Sequence, residues 1–288
     1  MLTIKTLRTL IASDGLHLAE RSGHEFFANC LAEVTQEPDL VVHAISSEVD
    51  ALGEPAISDW TGHAIDLFPD ARHCVVGLGC LSLYAALQHV QHSQARSALL
   101  LVMEAPAHHV QSKMDRIGMG PGENGDGMVI QESLAFVQVQ QKELDDLGPD
   151  DVWVEMCKVL SKPTGFSGPH KLLSKIGSLL REQLRESRHL VSFDAGSRWA
   201  KKLNKWFEQE VVPGLPVSFQ TLPSSEACSI HRLSAKPVLE IQQYLPILHE
   251  HDALAISSIG FSPAATDAVN RPNGLEICRA IRETGCGR

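Results

Sequence analysis

Short β-branched apolar runs alternate along this chain with longer stretches whose apolar residues recur at helical spacing, the pattern of an α/β architecture. Asp39 to Ser46 (DLVVHAIS) reads as a buried strand, preceded by a helix over about Gly23 to Val34. His73 to Val76 reads as a second strand, running into Gly77, Gly79 and Cys80. A helix is predicted from Leu81 to about His92, with Leu83, Ala86, Leu87 and Val90 on one face. Ala98 to Met103 is a third strand, and Leu134 to Val139 a fourth beyond a glycine-rich loop.

The stretch 141–152 (QKELDDLGPDDV) is charged and turn-rich, and makes the best internal boundary. It divides the chain into an N-terminal half, residues 1–146, that carries Cys80, and a C-terminal half, residues 147–288. The second half reads as strand Trp153 to Leu160, loop Lys162 to Pro169, helix Lys171 to Glu186 and strand Leu190 to Phe193. Helix Ser197 to Gln209, strand Val217 to Leu222, helix Ala227 to Tyr244 and strand Ala253 to Ile259 follow. The halves repeat the order strand, helix, strand, helix, strand without a repeat at the level of sequence.

Composition narrows the class. With 43% hydrophobic residues and a mean hydropathy of -0.05, the 288-residue chain suits a compact soluble protein of one large domain or two fused half-domains. A net charge of -10 repels nucleic acid. The densest basic cluster, Lys201, Lys202 and Lys205 beside Trp206, reads as a solvated helix face. Met1 to Leu18 contains Lys5, Arg8, Ser13 and Asp14, and so lacks the pattern of an export signal. No segment reaches the ~20 apolar residues that span a bilayer. The seven cysteines (30, 74, 80, 157, 228, 278 and 286) are scattered and form no CxxC pair, which argues for a reducing cytoplasm and against a zinc site. A cytoplasmic protein with no membrane or nucleic-acid partner is expected.

One segment carries chemistry. In Val75-Val76-Gly77-Leu78-Gly79-Cys80-Leu81, a strand ends, small residues permit a sharp turn, and a cysteine meets the first turn of an apolar helix. A thiolate there faces unpaired backbone N–H groups and the positive end of the helix dipole. Shielded from water, it suits covalent acyl transfer through a thioester. The competing reading is a small buried cysteine in a tight turn, as at Cys74 and Cys157.

Further along come Ala95 to Glu104 (ARSALLLVME), the turn Asp115-Arg116-Ile117-Gly118, and Gly122 to Ile130 (GENGDGMVI). Ser257-Ser258-Ile259-Gly260-Phe261-Ser262 is a second glycine-containing loop near the C-terminus. In order and spacing these pieces resemble the ketoacyl synthase III family. The resemblance implies a thiolase-like five-layer αβαβα fold built from two pseudo-symmetric halves. It also implies that Cys80 is the acyl-carrying nucleophile and that the Cys80 and Gly260 backbone N–H groups form an oxyanion hole. Substrates would be thioesters of coenzyme A or an acyl carrier protein, with no tightly bound cofactor and no metal. A dimer with itself or with another thiolase-fold subunit is expected.

The departures from that family bear on activity. The family's histidine position falls on Phe193, followed by Asp194, and its asparagine position falls near Ser225 to Cys228, on Glu226. A phenyl ring donates no proton, and a carboxylate repels the enolate that the asparagine stabilises. Glu226, or His231 about one helical turn beyond it, is the remaining candidate base. His170 and His189 read as surface or packed histidines. His108-His109 and His249-Glu250-His251-Asp252 suggest no third metal ligand and read as solvated turns. Three expectations stand: an acyl-transfer enzyme of fatty-acid-like or polyketide biosynthesis, a catalytically degraded partner subunit of a heteromeric ketosynthase, or an unrelated α/β protein with a structural Cys80.

Overall fold

A computed structural model describes residues 2–11, 18, 21–34, 36–45, 55–77, 82–103, 129–146, 152–154, 189–194, 205–206, 208–210, 213, 219–221, 230–231, 235–244, 253–258 and 282–283. In chain order the first elements are β1 (Leu2–Ile11), α1 (Arg21–Ala32), β2 (Leu40–Ile45), α2 (Pro55–Leu67), β3 (Arg72–Gly77), α3 (Ser82–His92) and β4 (Ser97–Met103). They are followed by β5 (Val129–Ile130), β6 (Ser133–Gln141), β7 (Val152–Val154), β8 (His189–Asp194) and β9 (Phe219–Thr221). The last are β10 (Ile230–His231), α4 (Lys236–Tyr244), β11 (Ala253–Ser258) and β12 (Arg282–Glu283).

The main sheet has seven strands in the order β12-β3-β2-β4-β6-β1-β7. Its centre, β3-β2-β4, is parallel, and β6 runs antiparallel to both β4 and β1. Every residue of β2 and β4 is buried, because both strands are apolar runs with helices on either face. The two-residue period sorts their side chains. Val42, Ala44, Leu100 and Val102 pack with Leu83, Ala86, Leu87 and Val90 of α3 and with Val238 of α4. Val41, Ile45, Leu99 and Leu101 pack on the opposite face with Phe27 and Leu31 of α1 and with Ile57, Trp60 and Ala64 of α2. Phe27 stacks on Trp60 with ring centroids 5.5 Å apart, and meets Phe136 edge-on at 5.3 Å. Burying a side chain of this size contributes about 1.5–3 kcal/mol, so this face holds α1 and α2 firmly to the sheet.

Local chemistry sets the ends of the elements. Proline stands at the first position of α2, where the missing N–H costs nothing. One Asp39 carboxylate oxygen accepts the Arg96 and Ser97 amides at 2.8 and 3.1 Å, and the Asp39 carbonyl accepts the Arg72 amide at 3.0 Å. Asp39 thereby aligns the N-terminal ends of β2, β3 and β4. At the far end of α3, the Gln141 side-chain amide donates to the carbonyls of Val90 and Ser93 at 2.7 and 3.2 Å, satisfying orphan acceptors.

After β6 the chain makes a single 3-10 turn, Leu144–Asp146, and returns to the main sheet as β7, antiparallel to β1. A parallel three-stranded sheet, β11-β8-β9, forms farther along, and β10 pairs with β5. α4 contacts both β1 and β11, and the Thr9 hydroxyl donates to Gln242 Oε1 at 3.1 Å. The molecule is therefore a mixed α/β structure organised on a central sheet.

One predicted helix needs correcting. Ala227 to Tyr244 is not continuous, because Ile230 and His231 form β10 and the helix starts at Lys236. Pro237 in the first turn of α4 has a fixed φ and no N–H, which suits a helix start and opposes a helix interior. Among the longer elements, β1 and α2 were not foreseen, nor was the two-residue β12. The predicted loop 162–169 and helix 171–186 lie outside the described residues. Of the helix predicted over 197–209, residues 205–206 and 208–210 are described, and they are helical.

Candidate functional site

In a parallel α/β sheet, loops leaving the C-terminal strand ends gather side chains over a common edge. Here that edge is set by register: Gly77 lies opposite Ile45, Ile45 opposite Met103, and Met103 opposite Leu134. Cys80 falls between the end of β3 and the start of α3. Residues 78–81, Glu226 and Gly260 lie outside the described residues.

What flanks Cys80 is well defined. β3 stops at Gly77, and α3 starts at Ser82. Ser82 is buried, and its hydroxyl donates to the Ile45 carbonyl at the end of β2 at 2.6 Å. The bond ties the first turn of α3 to the strand beside β3. The first amides of any α-helix have no partner within the helix and carry its positive end. A strand, a short connection and a helix N-terminus thus follow one another as the sequence predicted.

His231 reaches this edge by another route. Its strand β10 runs parallel to β5, with His231 opposite Ile130. Gln131 and Glu132 then lead into β6, whose Leu134 faces Met103. His231 is thus a strand residue held near the C-terminal edge of the main sheet, and not a helix residue one turn beyond Glu226. Glu132 is buried on the same connection, and its carboxylate accepts the Leu18 amide at 2.6 Å.

Phe193 and Asp194 end β8, opposite Ser257 and Ser258 of β11. Phe193 and the strand that precedes Gly260 in the sequence are therefore side by side and in register. His189 begins the same strand.

A pair of histidines escaped the sequence reading. His43 in β2 and His73 in β3 meet with Nε2 and Nδ1 at 3.3 Å, and His73 Nε2 lies 3.0 Å from the Phe68 carbonyl. That carbonyl requires His73 Nε2–H as donor, so in the neutral pair His43 Nε2–H donates to His73 Nδ1. His43 Nδ1 is then a bare acceptor, buried without a partner. Burial, reinforced by His73, pushes His43 down to about 3. A polar residue inside two otherwise apolar runs was the available signal. Both side chains share the α1/α2 face of the sheet, so the pair belongs to the core.

Cys30 and Cys74 are buried and not disulfide-bonded, and Cys74 sits in the α3-facing core as expected of a structural cysteine. Burial pushes the Cys30 thiol up to about 11; Arg8 opposes the shift and Glu33 adds to it. No cluster of three or more His, Cys, Asp or Glu side chains suited to a metal occurs among the described residues. Lys205 is exposed beside half-buried Trp206, while Lys201, Lys202, His108, His109, His170 and the 249–252 segment lie outside the described residues. No described helix is long and apolar enough to cross a membrane.

No family model matches the chain, and no curated protein matches it. Solved structures do. Cerulenin-bound OleA from Xanthomonas campestris superposes with a TM-score of 0.50 at 14% identity, covering 87% of this chain and 80% of OleA. The β-ketoacyl-[acyl carrier protein] synthase III of Thermus thermophilus gives a TM-score of 0.46 at 12% identity, covering 91% of this chain and 94% of the synthase. AbyA1, a tetronic acid condensing enzyme, gives 0.46 at 12% identity, with 84% and 78% covered. The likeness to OleA establishes the fold: this is a thiolase-fold protein.

Proposed function

We propose that this chain is a divergent ketoacyl synthase III-like protein of acyl-thioester metabolism that carries an acyl group on Cys80. One observation carries the reading. Cys80 stands in the sequence between β3 and α3, in a thiolase-fold chain whose α3 start is anchored by Ser82 to the end of β2. The likeness of fold to OleA counts against the third expectation, an unrelated α/β protein with a structural Cys80.

On this reading the chain comprises two pseudo-symmetric halves, 1–146 and 147–288, in five layers, and acts as a cytoplasmic dimer. The Cys80 thiolate attacks the carbonyl carbon of an acyl-coenzyme A or acyl carrier protein thioester. The Cys80 and Gly260 amides stabilise the oxyanion, and the carrier thiolate leaves and takes up a proton. In the second half-reaction a nucleophile attacks the Cys80 thioester, losing its proton to His231, and the cysteine thiolate departs. His231 is preferred to Glu226 as base because β10 lies beside β5 near the edge from which the Cys80 connection springs. Phe193 removes the proton donor of the family's decarboxylating route, so condensation by that route is not expected.

The alternative is a partner subunit of a heteromeric ketosynthase, and Phe193 is the observation that favours it. Intact-mass spectrometry after incubation with acyl-coenzyme A separates the two. The enzyme reading expects an acyl adduct that disappears in Cys80→Ala. Cys30, with its buried and strongly protonated thiol, is expected to stay unmodified. No adduct, together with a stable heterodimer with a full-length ketosynthase, establishes the partner reading instead.

A further inference from the structure

On the face of the main sheet opposite α3, α1 and α2 pack against each other through paired positions. Phe27 stacks on Trp60 with the rings 11° from parallel, and both side chains are fully buried. One turn away on each helix, in opposite chain directions, His24 faces His63 with ring centroids 5.5 Å apart and a 60° tilt. Both imidazoles are exposed. Exposed imidazoles gain little from packing on each other, but the buried Phe27–Trp60 contact fixes the separation of the helices that carry them.

That separation suits a shared ion. A zinc–nitrogen bond of ~2.1 Å plus roughly half a ring width of ~1.2 Å puts each centroid about 3.3 Å from the metal, and a tetrahedral angle between converging ring nitrogens then sets the centroids ~5.4 Å apart. The observed distance is 5.5 Å. We propose that His24 and His63 form a surface site for a borderline divalent transition ion of the Zn²⁺, Co²⁺ or Ni²⁺ type. Imidazole selects such ions over Mg²⁺ and Ca²⁺, which take oxygen ligands. Glu25, Asp59 and Asp66 are exposed on the same two helices and make the local potential attractive to a cation. With no third His, Cys, Asp or Glu ligand among the described residues, water fills the remaining positions and the ion exchanges freely. The pair lies on the face of the sheet opposite α3, so the proposal stands whatever chemistry Cys80 and His231 perform.

Titration of ZnCl₂ into the full-length protein at pH 7.5, by calorimetry and by thermal melting, tests the proposal. The readout is the difference between wild type and the exposed-site variants His24→Gln and His63→Gln, because the chain has 14 histidines in all. The wild type is expected to bind one more ion than either variant, with a saturable rise in Tm of at least ~2 °C that MgCl₂ does not reproduce. Equal stoichiometry and equal Tm response in wild type and both variants overturns the site. So does loss in one variant alone, since that marks a single histidine acting without its neighbour.

Discussion

An imidazole at position 43 stands among side chains that are otherwise almost wholly apolar. The cluster packed on that face of the sheet comprises residues of α1, α2, β3, β4 and β6, of which Phe27, Trp60, Val75, Leu101 and Phe136 are representative. Its titratable neighbours are His73, which lowers the affinity of His43 for a proton, and Cys30, whose thiol stays neutral. The folded state holds His43 near 3, whereas an unfolded chain titrates near the ordinary histidine value of about 6.5. Between those values the unfolded chain binds more protons than the native one. This contribution to stability is complete above the unfolded value and is lost as pH falls through the window toward the folded one. His43→Gln keeps a donor for His73 Nδ1 and abolishes the titration. Denaturant unfolding at pH 7, 6 and 5 is expected to show the wild type losing stability relative to this variant, by a slope approaching ~1.4 kcal/mol per pH unit from this one group. Two curves that stay parallel across that range count against a proton-free His43.

At the scale of elements, one short hydrogen bond holds α3 in place. Ser82→Ala removes the donor and leaves the Ile45 carbonyl buried without it. A loss of about 1–3 kcal/mol in urea unfolding is expected, and a change below ~0.5 kcal/mol would mean the helix start is held by packing alone. Such anchors decide how much of the fold can be read from sequence. β2 and β4 announce themselves as unbroken apolar runs, since helices cover both their faces. α3 shows its buried stripe at helical spacing. β1 does not stand out, because its Leu2-Thr3-Ile4-Lys5 alternation breaks at the register shift between Thr6 and Arg8, and its partner β6 lies more than a hundred residues away. α2 contains Gly62 and begins with proline, so its helicity rests on burying Ile57, Trp60 and Ala64 against the sheet rather than on propensity. Ile230 and His231 join a strand through pairing with β5, a long-range contact that outweighs the local helical pattern. What was legible is local, the strand end at Gly77 and the helix start at Ser82 that flank Cys80 in the sequence, whereas the placement of His231 on a strand and the meeting of His43 with His73 depend on topology.

For the molecule as a whole, the proposed chemistry draws on both sheets: the Cys80 connection leaves the main sheet, while Phe193 and the strand leading to Gly260 belong to the three-stranded one. Their relative placement therefore depends on whatever joins the sheets, and α4 is the described element that touches both β1 and β11. Val238 of α4 is buried in the same cluster as Leu2, Val137 and Val139. A carboxylate at that position has no partner there, and burying it costs several kcal/mol, enough to detach the helix before the strands themselves unfold. If α4 couples the sheets, Val238→Asp lowers amide hydrogen-exchange protection in β1 and β6 and, together with it, in β8 and β11. Acylation of Cys80 is expected to fall in step, because the proposed oxyanion hole would take one amide from each sheet's connections. Protection lost in β1 and β6 but retained in β8 and β11 would show instead that the three-stranded sheet is stable without α4. The site would then be assembled by some other contact between the sheets.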